Sequence, residues 1–324
     1  MVAPNLRDTD SSSQHVNHAA NAVVMVPPID FKFNTETSTD NEFQQRLDLP
    51  EHDIKSKALA EFYNMVGILR GHGIDVTVMD YSGDGVETPD AVFPNNWFST
   101  TRNGTAFLFP MASKNRRNEV RPGCLVNALT SKGFNVSQVL SVSDLSKPDA
   151  FLESTGVMIL DHNNATIYAA LSERCDRQLL QHFLGLSEFH ELIAFDTHMA
   201  SGACVYHTNV MMAVGESFAV ICDEIIDEFE RRRVLSTLRK TKEVITISEA
   251  QMNQFCGNIL HLRNENNERL IAMSLSAYNA FTREQKHCLR RHGQLVPIDV
   301  TTIETIGGGS VRCMLAENFL PKKV

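Results

Sequence analysis

The stretch GVMILDHNNATIYAALSERCDRQLLQHFLGLSEFHELIAFDT, residues 156–197, decides how the rest of the chain is read. It opens on an apolar run, GVMILD. A second β-rich run, ATIYAAL, follows across His162, Asn163 and Asn164, a triplet suited to a turn, so the two runs read as a hairpin. A helical pattern near 173–185 comes next, and ELIAFDT returns the chain to β-rich sequence. The unit is strand, strand, helix, strand.

The same alternation appears along the whole chain. Residues 56–70, SKALAEFYNMVGILR, place Leu59, Phe62, Tyr63, Val66 and Leu69 on one helical face, with Gly71 suited to cap it, and IDVTVMD follows at 74–80. Helical patterns near 118–132, 225–240 and 282–292 lead into FNVSQVL, EVITIS and LVPIDV. The helices begin roughly 55 to 60 residues apart, longer than the usual solenoid repeats. Five strand-rich units with one helix each do not suit a doubly wound sheet. They suit strands and helices arranged radially around an axis. No Pro/Gly/Ser-rich linker divides the chain, so residues 21–324 read as one domain, preceded by a polar, disordered segment at 1–20.

Composition narrows the function. The 324 residues are 43% hydrophobic and 21% charged, as in a soluble globular protein, with a net charge of −9. That charge argues against nucleic acid or an anionic membrane as partner. The one basic cluster, Arg231 to Arg233, reads as a solvated helix face. No apolar run approaches the ~20 residues that span a bilayer, and the polar start lacks a secretory h-region. Seven cysteines at irregular spacing, with no CxxC pair, form neither a disulfide framework nor a zinc site. A cytoplasmic protein with reduced thiols is expected.

Four places put polar residues where an apolar strand should run. They are TPDAVFPNNWFST (88–100) with Asp90, Asn95 and Asn96; FLESTGVMILD with Glu153; CVYHTNVMMAVG (204–215) with His207 and Asn209; and GGGSVRC (307–313) with Cys313. Taken singly, these are ordinary core or turn residues. Taken together, they supply a thiol nucleophile, a histidine to move its proton and a carboxylate to orient that histidine. Strand ends in a radial fold can converge at the axis.

The ordered motifs PDAVFPNNW, LESTG, LSER, YHTN and GGGSVRCM resemble those of the pentein superfamily of guanidino-group-modifying enzymes. This superfamily includes arginine deiminases, dimethylarginine dimethylaminohydrolases and amidinotransferases. The resemblance runs from about residue 20 to the C-terminus. It implies an α/β fold, a five-bladed propeller of ββαβ units. Within the superfamily, PNNW, YHTNVMM and GGGSVRCMLAE are most similar to bacterial citrulline-utilisation hydrolases. Carried over by position, the resemblance makes Cys313 the nucleophile, His207 the general acid/base and Glu153 the acid of the family's acid-Gly-Gly-Asp turn. Here that turn reads Glu-Ser-Thr-Gly, without its second acid. PDAVFPNN lines up with the family's PDxVFxED, so Asp90 is matched while Asn95 and Asn96 replace an acidic pair. NRRNEV and LSER match the arginines that bind a substrate α-carboxylate, which implies Arg116 and Arg174. His-Thr-Asn lacks the aspartate that follows the histidine in arginine deiminases.

The implied chemistry is attack of Cys313 on the central carbon of a ureido or guanidino group, with no metal or organic cofactor. An asparagine amide can donate to a ureido oxygen and accept from its N–H groups, whereas a carboxylate only accepts. Asn95 and Asn96 therefore favour citrulline or another ureido amino acid as the small-molecule substrate. The alternatives are a guanidine substrate (arginine, a methylated arginine or amidino transfer) and, in another class, a non-catalytic propeller that binds a partner. The sequence leaves homo-oligomerisation open.

Overall fold

The computed structural model describes residues 19–80, 85–143 and 147–323. Among the described residues, fifteen strands form five three-stranded sheets. In the unit that opened the sequence analysis, Ile159–Asp161 runs antiparallel to Thr166–Ala170, with Ile159 opposite Tyr168. Thr166–Ala170 then runs parallel to Glu191–Phe195. The crossover between the last two is the helix Arg177–Leu186, capped by Asp176, whose side chain accepts from two backbone N–H groups of the first turn. The expected hairpin across 162–164 is present.

Three other sheets repeat this order. They are Phe98–Thr100, Thr105–Leu108 and Gln138–Ser141; Met212–Val214, Phe218–Ile221 and Glu243–Thr246; and Leu260–Arg263, Arg269–Ser274 and Gln294–Ile298. The fifth sheet joins the two ends of the chain: Ala316–Glu317 pairs antiparallel with Val23 and Val24, and Ala22–Met25 pairs parallel with Asp75–Val78. Five sheets of one topology, the last closed by the C-terminal strand, make the five-bladed α/β propeller.

Burial falls off outward along each blade. The middle strands Ala22–Met25, Thr166–Ala170 and Phe218–Ile221 are buried throughout, because sheet or helix covers both faces, and so their sequences are continuously apolar. The third strands Glu243–Thr246 and Gln294–Ile298 begin exposed and alternate. Phe183, on the second blade's helix, meets Phe107 of the first blade edge-on at 5.3 Å. Burying such a ring contributes roughly 1.5–3 kcal/mol. Between the second and third blades, Lys242 Nζ lies 3.1 Å from Asp161 with neither side chain exposed, and it also donates to the carbonyls of Gly215 and Glu216.

Three local expectations are corrected. The helix at 56–70 spans Glu51–Gly71 and buries Ile54, Ala58, Phe62, Met65, Val66 and Leu69; Tyr63 is 55% exposed, because the buried stripe lies one step round the helix. Its left-handed terminal glycine is Gly73 (φ +78°), and Gly71 is still helical. His207 and Asn209 do not sit inside a strand: Thr208–Met211 forms a helical turn, and the strand starts at Met212. Residues 1–18 lie outside the described residues; Ala19 and Ala20 are buried. Among the described residues, no helix is long and apolar enough to cross a membrane.

Candidate active site

Every blade is preceded by a short turn that ends at its first strand, and these five turns carry the polar residues. Pro94–Asn96 leads into Phe98–Thr100, Ser154–Val157 into Ile159–Asp161, and Thr208–Met211 into Met212–Val214. Asn258 stands just before Leu260–Arg263, and Cys313 just before Ala316–Glu317.

Four of these five turns were legible in the sequence, and they do converge. His207 Nε2 lies 2.7 Å from Glu153 Oε2. Asp90, Asn96, Arg116, Arg174, His207 and Cys313 line one cavity of ≈ 10 Å³, together with Thr37, Asn41 and Tyr206. That volume holds about one water molecule. A whole amino acid exceeds that volume; residues 34–44, the cover, contribute Thr37 and Asn41 to the lining. The cover is anchored by Asn34 and Thr37 donating to Asp90 Oδ2 (2.7 and 3.1 Å) and by Gln44 donating to the Ile306 carbonyl (3.3 Å).

Gly307 and Gly309 of the glycine run also line this cavity, together with Phe93. Gly308 ends the helix Thr301–Gly307 in the left-handed region (φ +62°). A Cβ at Gly307 or Gly309 would stand 2.7 or 2.9 Å from the Phe93 ring. Close packing against Phe93 requires the glycines. Gly156 also serves the site: a Cβ there would lie 2.4 Å from Asn96 Nδ2 and 3.0 Å from His207 Nδ1. Ser154 takes φ +42°, a glycine-like conformation at the position where the family turn has glycine, and it is held by its hydroxyl on the Phe98 carbonyl at 3.0 Å.

The two arginines expected to face an incoming carboxylate are already paired. Arg116 grips Glu119 through Nε and Nη2 (3.0 and 2.9 Å), and its Nη1 donates to Asn96 Oδ1 at 2.9 Å. Arg174 directs its fork at Asp40 of the cover, donates to Glu153 at 3.4 Å, and stacks 4.9 Å over the Tyr206 ring. Asp40 thus occupies the Arg174 fork.

Asn96 is oriented without ambiguity. Arg116 fixes its oxygen, so its NH₂ faces inward, and Nδ2 is buried with no hydrogen-bond partner among the described residues. The same holds for Asp90 Oδ1. The site therefore offers one unsatisfied donor and one unsatisfied carboxylate oxygen. Asn95 lies beside it, with its amide donating to Thr155 Oγ1 at 3.4 Å.

Burial sets the protonation states. It pushes the Cys313 thiol up, only partly offset by the Ser310 backbone and Asn258. It lowers His207 to about 4, against the pull of Glu153, so the imidazole is neutral and donates Nε2–H to Glu153. Burial would raise Glu153, but Arg174, His207 and Arg116 overcome it and hold the carboxyl well below its usual range. Burial also raises Asp90, and it pushes Glu119 up to about 7 despite the Arg116 fork. Four carboxylates (Asp40, Asp90, Glu119 and Glu153) surround two guanidiniums.

Residues 27–320 match the model of the family described as N,N dimethylarginine dimethylhydrolase, eukaryotic. The chain belongs to that family. This dimethylarginine dimethylhydrolase family member is accordingly a pentein. No curated protein matches its sequence. ArgZ, an arginine dihydrolase from the ornithine–ammonia cycle in cyanobacteria, superposes with a TM-score of 0.70 at 16% identity, over 91% of this chain and 40% of that one. The chain thus spans less than half of full-length ArgZ. It covers 99% of the isolated N-terminal domain of ArgZ bound to product, with a TM-score of 0.67, 17% identity and 93% of this chain. A dimethylarginine dimethylaminohydrolase variant bearing an adduct with S-methyl-L-thiocitrulline matches with a TM-score of 0.62 at 14% identity, over 92% of this chain and all (100%) of that one. At these identities the structural likeness shows the fold alone.

Asn258, Glu119, Tyr206 and Asp40 escaped the sequence reading. Only Asn258 carried a usable signal: it precedes a blade's first strand, as Asn96, Glu153 and Cys313 do.

Proposed function

We propose that the protein is a cysteine hydrolase that cleaves C–N bonds of a ureido α-amino acid such as citrulline, releasing ornithine, ammonia and carbon dioxide. The observation that carries this reading is the Asn96 amide. Its oxygen is held by Arg116, so it presents a buried, unsatisfied N–H donor. A ureido group has a carbonyl oxygen to accept it; a guanidinium has none. Asp90 Oδ1 is the complementary acceptor for a ureido N–H.

In this mechanism Cys313 sulfur attacks the ureido carbon while Asn96 Nδ2–H polarises the oxygen, a preorganised donor aimed at developing charge. The thiol proton passes through neutral His207 to the departing amine nitrogen. The S–C bond forms, the C–N bond breaks, and ornithine leaves an S-carbamoyl enzyme. Water, deprotonated by His207, then displaces the sulfur and takes the carbamoyl group, and the resulting carbamate falls apart to ammonia and carbon dioxide. Glu153 keeps His207 in the productive orientation throughout. Arg174 receives the substrate α-carboxylate once Asp40 has moved away.

A second reading, a guanidino amino acid such as arginine or a methylarginine, is favoured by the surplus of carboxylates around the cavity. A larger cavity of ≈ 540 Å³ beyond Phe43 is lined by Glu42, Glu249 and Glu304 and by no lysine or arginine among its described residues, which would attract a cation. ArgZ and the dimethylarginine dimethylaminohydrolases are named for such substrates. Acid-quenched protein incubated with citrulline, arginine or dimethylarginine separates the two readings: a carbamoyl and an amidino group on Cys313 differ in mass. Ornithine release from citrulline with a carbamoyl adduct is the expected result. An amidino adduct with arginine and no reaction with citrulline would overturn it.

A further inference from the structure

The Cys313 thiol is buried, and a sulfur that must lose its proton there needs donors for the resulting charge. A guanidinium substrate would bring positive charge with it. A neutral ureido brings none, so the donors must come from the protein.

Two amides point at the sulfur from two different blades. Asn258 Nδ2 lies 3.2 Å from Sγ and Asn209 Nδ2 3.5 Å, while the thiol itself donates to Asn209 Oδ1 at 3.7 Å. The orientation of Asn258 is fixed twice. Its Oδ1 accepts the Arg312 backbone N–H at 3.1 Å, one residue before the nucleophile, and its Nδ2 also donates to the Asn209 carbonyl at 2.8 Å. A flipped amide would lose both bonds, so the NH₂ must face the sulfur. The approach depends on Gly257, where a Cβ would come within 2.2 Å of the Val210 carbonyl oxygen. Only glycine lets the turn before the fourth blade lie against the one before the third, and that contact brings Asn258 within reach of Cys313.

We propose that Asn258 is a catalytic residue, which together with Asn209 cradles the Cys313 sulfur and stabilises its thiolate for attack. With this residue all five blades contribute to the reacting centre: Asn96, Glu153, His207 with Asn209, Asn258 and Cys313. The inference rests on Cys313 being the nucleophile; a neutral ureido substrate makes the donors the more necessary, and their geometry is the same for either substrate. The titratable groups around the sulfur are His207, Tyr206, Asp90, Arg116 and Arg174 lining the cavity, and Arg312 beside it; the variants below alter none of them.

The test reads the thiol directly. The rate of Cys313 alkylation by iodoacetamide, followed on the Cys313 peptide by mass spectrometry, is measured against pH in wild type, Asn258→Asp and Asn209→Ala. Asn258→Asp keeps an oxygen for the Arg312 N–H and removes the donor. Asn209→Ala removes the second donor, whose side chain has no hydrogen bond besides those to Cys313 among the described residues. A charge-assisted donor corresponds to a shift of about one to two pH units in the alkylation midpoint. Asn258→Asp should raise the midpoint by that much and Asn209→Ala by about half as much, and kcat at neutral pH should fall roughly tenfold or more with KM little changed. A purely structural role would lower the melting temperature and leave the midpoint in place. A folded Asn258→Asp protein with the wild-type midpoint overturns the proposal. If that variant does not fold, an unmoved midpoint in Asn209→Ala overturns it instead. Failure of the nucleophile reading looks different: wild-type Cys313 would then stay unalkylated while exposed Cys204 reacts.

Discussion

Replacing Asn96 by Asp tests the substrate reading at the one atom on which it turns. The side chain keeps its shape. One carboxylate oxygen still receives the Arg116 Nη1 donor now at 2.9 Å, and the other replaces the unsatisfied Nδ2 donor with an acceptor. For a ureido substrate the change removes a hydrogen bond and leaves the buried carbonyl oxygen facing a carboxylate, a loss of about 1–3 kcal/mol, or roughly 5- to 150-fold in kcat/KM. For a guanidinium it adds a charge-assisted bond worth about 1.5–3 kcal/mol, a gain of roughly 10- to 150-fold. The two effects have opposite signs, so the citrulline-to-arginine ratio should fall by about two to four orders of magnitude. The new carboxylate joins Asp90, Glu119 and Glu153, whose repulsion raises its pKa while Arg116 lowers it. Where it does take up a proton it becomes a donor again, so the ratio should recover as pH falls. The assay is steady-state kinetics on both substrates, wild type against variant, over a range of pH. A ratio that moves less than about threefold, or wild-type protein that already prefers arginine, refutes the argument and leaves the guanidino reading.

Other outcomes follow from the same geometry. Cys313→Ser should fold with an unchanged melting temperature and lose essentially all turnover, with no covalent adduct by mass spectrometry; near wild-type turnover would end covalent catalysis at this residue. Arg174→Ala should raise KM for an α-amino acid about 10- to 100-fold through loss of a bidentate carboxylate contact, and barely affect a decarboxylated analogue. Asp40→Ala, by freeing the same guanidinium, should lower KM for the amino acid; a raised KM would show that Asp40 assists binding instead. Buried groups should also make stability depend on pH, with opposing signs. Above 6.5 His207 is neutral both folded and unfolded; as pH drops from 6.5 towards 4 the unfolded chain takes up a proton that the folded one refuses, at a loss of about 2–3 kcal/mol. Glu153, held below its ordinary 4.5, adds a further loss under that pH, whereas Glu119, raised to about 7, contributes stability at low pH that fades as pH rises through 7. Urea midpoints of wild type and His207→Gln between pH 7 and 4 isolate the histidine, and parallel curves would contradict its burial as a neutral group.

The propeller was legible because blade topology is written locally. Apolar runs, a turn triplet and a helix lie within each stretch of roughly 55 residues, and their order alone dictates a ββαβ unit. Cys313, His207 and Glu153 were legible for a related reason: polar groups just before apolar strands are costly unless something uses them. Their sequence neighbours also set the lengths of the turns that carry them.

What only the tertiary structure decided depends on contacts between distant parts of the chain. Tyr63 looked like a core residue by periodicity, but which stripe of a helix is buried depends on what packs against it, and here Met65 took the place. Nothing in the glycine run 307–309 names its packing partner; Phe93, more than two hundred residues away, stands against two of the three. Arg116 and Arg174 carry no sign in their own sequence that Glu119 and Asp40 already hold them, or that Arg116 fixes the direction of the Asn96 amide. Asn258 shared with Asn96, Glu153 and Cys313 a place just before a strand, but a lone asparagine there is ordinary, and it reaches Cys313 only through the close approach that Gly257 permits. The sequence by itself determined the blades and brought Asp90, Glu153, His207 and Cys313 forward as candidates. Which of their donors and acceptors remain unsatisfied was decided by closure of the ring, because hydrogen bonds are exhausted between neighbours in space and no local pattern records which ones those will be.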